Sequence, residues 1–126
     1  MNIEKIKEII KIDFREAVFE GDHEKVKLLL DAGVNPNKFN DDDPEGDWTP
    51  LMYAVGGMHF LTAKYLIEAG ANMDVILIDG DRQDNLFELI ETNSDDAEMK
   101  EAMKTFLTRT LIKKHYEKKH VQAAYK

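Results

Sequence analysis

Apolar residues recur at helical spacing along most of the chain, in short runs separated by breaks marked with glycine or proline. Ile3, Ile6, Ile9 and Ile10 form one stripe, Val26, Leu29 and Leu30 a second, and Ala63, Leu66 and Ile67 a third. Residues three and four apart share one face of an α-helix, so each run predicts a helix with a single buried side. Pro50 suits a first helical turn, where its missing N–H would be unpaired anyway, and Thr49 can cap that turn. Gly33 and Gly70 follow two of the runs and predict left-handed helix exits. Gly21 fits a tight turn before His23. Further on, residues 84–90 predict a short helix with Leu86 and Leu89 inward, and Asn93-Ser94-Asp95 a turn and cap. Residues 97–109, with Met99, Met103, Phe106 and Leu107 on one side, predict a long helix that continues towards Tyr116.

Two of these helix pairs are copies of one another. Asp13-Phe14-Arg15-Glu16-Ala17-Val18 aligns with Pro50-Leu51-Met52-Tyr53-Ala54-Val55, and Leu28-Leu29-Leu30-Asp31-Ala32-Gly33 with Tyr65-Leu66-Ile67-Glu68-Ala69-Gly70. Ala17 and Ala54, like Gly33 and Gly70, lie 37 residues apart, so the register holds across both helices. The run from Thr49-Pro50-Leu51-Met52-Tyr53-Ala54 to Leu66-Ile67-Glu68-Ala69-Gly70-Ala71-Asn72 resembles an ankyrin repeat. That family's period is about 33 residues, which leaves roughly four extra ones within residues 39–48, where they lengthen a loop and leave the core alone. The resemblance implies an all-α fold, an ankyrin-type helical solenoid of stacked helix-turn-helix repeats with finger loops. Small Ala17 and Ala54 let paired helices approach closely. Such a pair cannot bury its apolar face alone, so neighbours must stack on it.

The layout expected is a single ankyrin-repeat domain over 1–126. Residues 1–12 form an N-terminal capping helix, 13–46 repeat 1, 47–80 repeat 2, 81–109 a degenerate repeat 3, and 110–126 a basic C-terminal helix or tail. Departures from the family pattern are visible. Ile12-Asp13-Phe14 stands where the family has Thr-Pro-Leu. Met52 replaces a histidine that ties neighbouring repeats, and Met58 occupies the position of Gly21.

At 126 residues and 43% hydrophobic, the chain suits one domain with a core adequate for a short solenoid. No apolar run approaches the roughly 20 residues that span a bilayer. The N-terminus has no secretory pattern, so a cytoplasmic product is the simplest reading; a chain trimmed of an export signal would read the same. There are no cysteines, hence no disulfide or thiolate chemistry. A net charge of −8 argues against nucleic acid as a partner. Five lysines and one glutamate make residues 110–126 +4, leaving −12 for the rest; such a tail reads as a solvated face or frayed end.

Candidate chemistry is sparse. Asp41-Asp42-Asp43-Pro44-Glu45-Gly46 matches the start of a calcium-binding EF-hand loop. The twelfth position, which must supply a bidentate carboxylate, is Met52 inside a helix, so the stretch reads as a solvated finger tip. His23 and His59 sit at equivalent starts of second helices, and His115 and His120, five apart, do not share a helix face. Gly56-Gly57 ends a helix and is no phosphate loop, and no nucleophile elbow is present. Abundant carboxylates carry no acid–base meaning without a cleft that shifts them. No catalytic residue, metal or cofactor is implied, and the chain reads as a non-enzyme.

In ankyrin proteins partners dock on a concave face lined by finger loops and first helices. By register the resemblance places Trp48 and Tyr53 there, with Lys11 and Glu16 as counterparts in repeat 1 and Gln83 and Glu88 in repeat 3. Trp and Tyr on such a face act as anchors of large rigid area; alternatively Trp48 closes over its own inserted loop. The charge nearby is one-sided. Asp41, Asp42, Asp43, Glu45 and Asp47 crowd the first finger, and Asp79, Asp81 and Asp84 the second, with Arg82 alone opposing. An acidic groove would attract a basic partner, though charged loops also serve solubility. The expected partner-binding set is Trp48, Tyr53, Asp41, Asp42, Asp43, Asp47, Asp81, Arg82 and Gln83. The expected function is a non-catalytic protein-binding module, monomeric when free, without nucleic-acid or membrane partners. An inhibitor, immunity-type protein or adaptor that blocks a basic target, such as a toxic or lytic enzyme, fits that size and charge. The rival is a structural or self-associating scaffold unit, joined through the Ile3/Ile6/Ile10 helix or the C-terminal helix.

Overall fold

The computed structural model describes residues 2–44 and 46–124, the stretch 118–124 as backbone only; Glu45 and the side chains of His120 and of the lysines beyond Glu117 lie outside the description. In chain order the elements are α1 (Ile3–Glu20), α2 (His23–Asp31), α3 (Pro50–Gly56), α4 (Phe60–Glu68), β1 (Leu77–Asp79), β2 (Arg82–Asp84), α5 (Leu86–Asn93) and α6 (Ala97–Ala124). The helix starts follow capping chemistry. Side chains of Asn2, Asp22, Thr49 and Asn85 each accept an N–H from the first turn that follows, and Asp96 accepts those of Glu98 and Met99. These bonds satisfy donors that the helix itself leaves orphaned.

The helices stack as pairs, α1 on α2, α3 on α4 and α5 on α6, with α1, α3 and α5 forming an inner row and α2 packing on α4 outside. The inner row buries Phe14, Ala17 and Val18, then Leu51, Met52, Ala54 and Val55, then Leu86, Leu89 and Ile90. Val26, Ala63, Leu66, Ile67, Met103 and Leu107 close the core from the other layer. This is the stacked helical solenoid that the repeated register implies. Leu29, an expected core residue, is half-buried, and its neighbour Leu28 is 70% exposed. The physical reason is position: α2 packs against α1 and α4, and among the described residues no other helix packs closely on it.

Three local features differ from the simple reading of the pattern. The helix expected before residue 13 and the first helix of the first repeat are one continuous element, α1, in which Ile12 and Asp13 are mid-helix. Phe14 still takes the buried role of Leu51. In the third unit Leu86 and Leu89 are buried in the expected roles, but the helix begins at Leu86 with Asn85 as its cap. Residues before it form a hairpin, with Leu77 paired to Asp84, Ile78 to Gln83 and Asp79 to Arg82. The run Val75-Ile76-Leu77-Ile78 has β-branched character, and Gly80-Asp81, with Gly80 at φ 61°, supplies the turn between the paired Asp79 and Arg82.

Neighbouring repeats are also tied through their loops. Asn37 accepts the N–H of Asn72 at 2.7 Å and donates to the carbonyl of Gly70 at 3.5 Å. Asn35 and Asn72 each accept the N–H two residues on. Met52 caps the N–H of Thr49 through sulfur at 3.4 Å, a bond within its own repeat. At the turn between paired helices, Met58 adopts φ 60° where Gly21 adopts φ 72°. The His59 ring lies against Gly21, where an added Cβ would fall 2.3 Å from Nδ1.

Two stability predictions follow from this packing. Leu66→Ala should lose roughly 2–5 kcal/mol, while Leu28→Ala at the exposed outer surface should stay within about 0.5 kcal/mol of wild type. Chemical denaturation monitored by circular dichroism distinguishes the two, and equal losses would contradict the burial described. At the turns, Gly33→Ala meets only backbone strain, since no atom lies within 4 Å of its added Cβ, so about 1–2 kcal/mol is expected. Gly21→Ala should lose more because it also strikes His59. In a double-mutant cycle His59→Ala should recover at least about 0.5 kcal/mol of that loss; strict additivity would refute the clash.

Candidate protein-interaction face

The inner row and the first finger meet in a cluster of aromatic rings. The ring of Phe19, on the last turn of α1, lies 4.5 Å from that of Tyr53 of α3, and Trp48, just before the Thr49 cap, lies 4.8 Å from it, both pairs tilted. Phe39, at the root of the finger, contacts Phe14, Phe19 and Tyr53 at 5.7–5.8 Å. Arg15 places its guanidinium 4.8 Å from the Phe39 ring centre, a cation–π contact. Phe39 is only 5% exposed, so the lengthened loop within residues 39–48 does not leave the core alone: Phe39 enters the core, while Asn40, Asp41 and Asp42 are exposed. Phe19 (45% exposed), Tyr53 and Trp48 remain open to solvent in part. Burial holds the Tyr53 phenol above its ordinary range, the Asp47 carboxylate pushes it further up, and Arg15 opposes both.

Beside this cluster a pocket of about 540 Å³ opens between the two fingers. Trp48, Met52, Val75 and Ile78 give it an apolar lining, and Lys38, Asp43 and Asp47 a polar rim. The fingers are held together by the N–H of Ile78, which donates to the carbonyl of Gly46 at 3.0 Å. Gly46 has φ 85°, a left-handed conformation that favours glycine, and a Cβ there would fall 2.9 Å from the terminal Cδ1 of Ile78.

The expected site residues separate into groups. Trp48, Tyr53 and Asp47 come together, with Asp43 sharing the pocket rim. Asp41 and Asp42 are exposed on the finger turn and do not line the pocket. Asp43 shapes the loop, its carboxylate accepting the N–H of Asn40 at 3.1 Å. Gln83 and Asp81 are exposed on the hairpin. Arg82 is engaged within β2: its Nε lies 2.9 Å from the carboxylate of Asp84, which is buried and 6% exposed. The charge is also less one-sided than the sequence suggests. Asp84 is buried and neutralised, while Lys38 donates to the carbonyl of Asp43 and Lys11 to the side chain of Asn40. Sequence reasoning missed Phe19, Phe39 and Arg15. Their signal was present: Arg15 and Phe19 are four apart on α1, and Phe39 opens the insertion.

Among the described residues, no group of three or more His, Cys, Asp or Glu is placed to hold a metal ion. Nor is any helix among them long and apolar enough to cross a membrane.

Comparison with known proteins agrees with this architecture. The mouse protein named ankyrin repeat, SAM and basic leucine zipper domain-containing protein 1 is 39% identical over 59 residues, 47% of this chain and 12% of the mouse protein. The rabbit protein of the same name is 29% identical over 96 residues, 76% of this chain and 19% of its own length. Human protein phosphatase 1 regulatory subunit 27 is 37% identical over 73 residues, 58% of this chain and 45% of the human protein. The chain thus spans less than half the length of each of these relatives. The family model described as ankyrin repeats (3 copies) matches residues 14–116, reaching from Phe14 at the first buried inner position into α6. With that span matched and the helix pairs stacked as described, the chain belongs to the ankyrin-repeat family, whose repeats mediate protein–protein interaction.

Proposed function

We propose that this chain is a non-catalytic module that docks a partner protein on its inner face and fingers. The observation that carries the reading is the Phe19–Tyr53–Trp48 stack, left partly open beside the inter-finger pocket and next to Asp47. Partly exposed aromatic rings held rigidly by their neighbours bury large area at low entropic cost, as interface anchors do. The pocket beside Trp48, at about 540 Å³, has room for more than one side chain of the partner. Exposed Asp41, Asp42, Asp47, Asp79 and Asp81 favour a basic partner surface. The human relative's name makes it a regulatory subunit of a phosphatase. That supports a role in which this chain binds an enzyme and controls it, as an inhibitor, an immunity-type protein or an adaptor. A scaffold or self-associating role has one observation in its favour: Ile3, Ile6, Ile9 and Ile12 on α1 are 40–68% exposed. Sedimentation of the free protein separates the two, since scaffold assembly through α1 requires mass to rise with concentration.

The anchor can be tested by affinity capture from native lysate, comparing wild type with Trp48→Ala. Loss of the aromatic ring should weaken the specific partner by about 2 kcal/mol or more, with helix content unchanged. If Trp48→Ala captures the same partner equally well and only melts earlier, Trp48 serves the loop and the docking assignment fails.

The charges call for a different measurement. Asp41→Asn with Asp42→Asn removes two exposed charges without touching the loop bond made by Asp43. With the captured partner in hand, stopped-flow association should slow at low salt and depend less on salt. Such charges are screened over about 8–10 Å and act mainly on encounter. An unchanged rate and salt slope would leave the finger charges to solubility alone.

A further inference from the structure

We infer that the molecule carries a second docking groove, between α4 and α6, that accepts an acidic amphipathic helix from another protein. α2 packs closely on α4, whereas α6 stands off from α4 and leaves two adjoining hollows of about 450 and 470 Å³. They share Phe106, Thr110 and Lys113, so they form one groove along α6, and no residue of α1, α3 or α5 lines it. It is therefore separate from the inner-face site.

The floor is apolar. Phe60 of α4 and Phe106 of α6 are half-buried and meet edge to face, with ring centres 6.3 Å apart at 76°. Ile67 extends the floor along α4. The rim is basic. Lys64, Arg109, Lys113 and Lys114 line the groove, against the carboxylates of Glu68 and Glu117 alone. Among the described residues, Lys64, Arg109 and Lys114 have no carboxylate within 4.0 Å, and Lys113 reaches Glu117 only at 4.0 Å. In a chain of net charge −8 this excess of cations is a local reversal of sign. Four cations of which three neutralise no carboxylate within the described residues, set around aromatic rings, match a ligand that brings carboxylates and a bulky apolar side chain together.

A helix meets that requirement best. The walls are two helices, and a third laid along them seats its apolar residues at positions i, i+3 and i+4 on Phe60 and Phe106. Its flanking Glu or Asp residues then reach Arg109 and Lys113 on one side and Lys64 on the other. A nucleic acid would use the cations but not the apolar floor, and needs a longer basic run than four residues supply. Opposite charge at the two surfaces gives the molecule two distinct partners, one basic and one acidic.

The test uses dye-labelled helical peptides and fluorescence anisotropy on the full chain. An amphipathic peptide of Glu and Leu should bind saturably. The same peptide with Leu replaced by Ala should bind about tenfold more weakly or less, since anchor side chains carry most of such energy. A Lys/Leu peptide should not bind. Arg109→Glu with Lys113→Glu should weaken the Glu/Leu peptide about tenfold or more, and Lys114→Glu, on the exposed rim, should weaken it in the same direction. Trp48→Ala should leave it unchanged, so failure here is distinguishable from failure of the inner-face reading. Equal binding of the Glu/Ala peptide would reduce the groove to diffuse charge attraction and overturn the proposal. So would an oligothymidylate probe that binds as tightly and is lost in the same variant. Concentration-dependent self-association, seen by sedimentation velocity and abolished by the double charge reversal, would assign the groove to a second copy and equally overturn it.

Discussion

Everything in this structure depends on the close approach of the inner helices. Ala17 and Ala54 are buried to 2% and 0% exposure at equivalent places, and their small side chains let α1, α3 and their outer partners pack without a gap. Phe14, Leu51 and Leu86 then occupy equivalent buried positions of the inner helices, as do Val18, Val55 and Ile90, and α1 packs on α3 and α3 on α5. No helix pair here could keep its apolar face dry without its neighbour, so the stability of each unit is largely an interface term. The finger, pocket and aromatic cluster are all carried on that row.

Much of the frame was legible because it repeats. A spacing of 37 residues, kept through Ala17/Ala54 and Gly33/Gly70, can arise only if both helix pairs have the same internal geometry. The left-handed conformations at Gly33 and Gly70, φ 101° and 105°, follow from the same signal. What did not repeat was harder to read. Phe39 has no counterpart in the other units, so nothing in the register placed it in the core, and only its chemistry did. The hairpin was hidden because its apolar run is short and follows a helix exit. Asp84 seemed one more finger charge, yet pairing with Arg82 across two residues of β2 puts it inside. Of the candidate site, Trp48 and Tyr53 were accessible from register, and Asp47 from the charge of the finger. The partners that hold them in place, Phe19 and Arg15, required the turn of α1 to be known.

The described residues of the first finger are held by more contacts than a run of acidic residues would suggest. Its root is locked by Phe39 in the core, its middle by Asp43 and Asn40 bonding to each other, and its far end by the Gly46–Ile78 backbone bond. Lys11 and Lys38 add donors from the neighbouring repeat and from the loop itself. These contacts offset the repulsion among the exposed aspartates. They also leave Asp41 and Asp42 exposed on the finger turn and Asp47 exposed before Trp48, where a field acts on encounter more than on the docked state.

Order of this kind decides how a binding face spends its contacts. A flexible finger would have to be frozen on association, at a loss of about 0.5–1.5 kcal/mol for each side chain immobilised. Here Tyr53 already contacts the rings of Phe19, Trp48 and Phe39, and Phe39 also contacts Phe19 and the cation of Arg15. The asparagine bridge from Asn37 to Gly70 and Asn72 fixes the loop of one repeat against the next. Most of the ordering is therefore completed on folding, by the same stacking that builds the core. Variation among exposed residues on the finger can then alter which partner is met without disturbing the rings that would hold it.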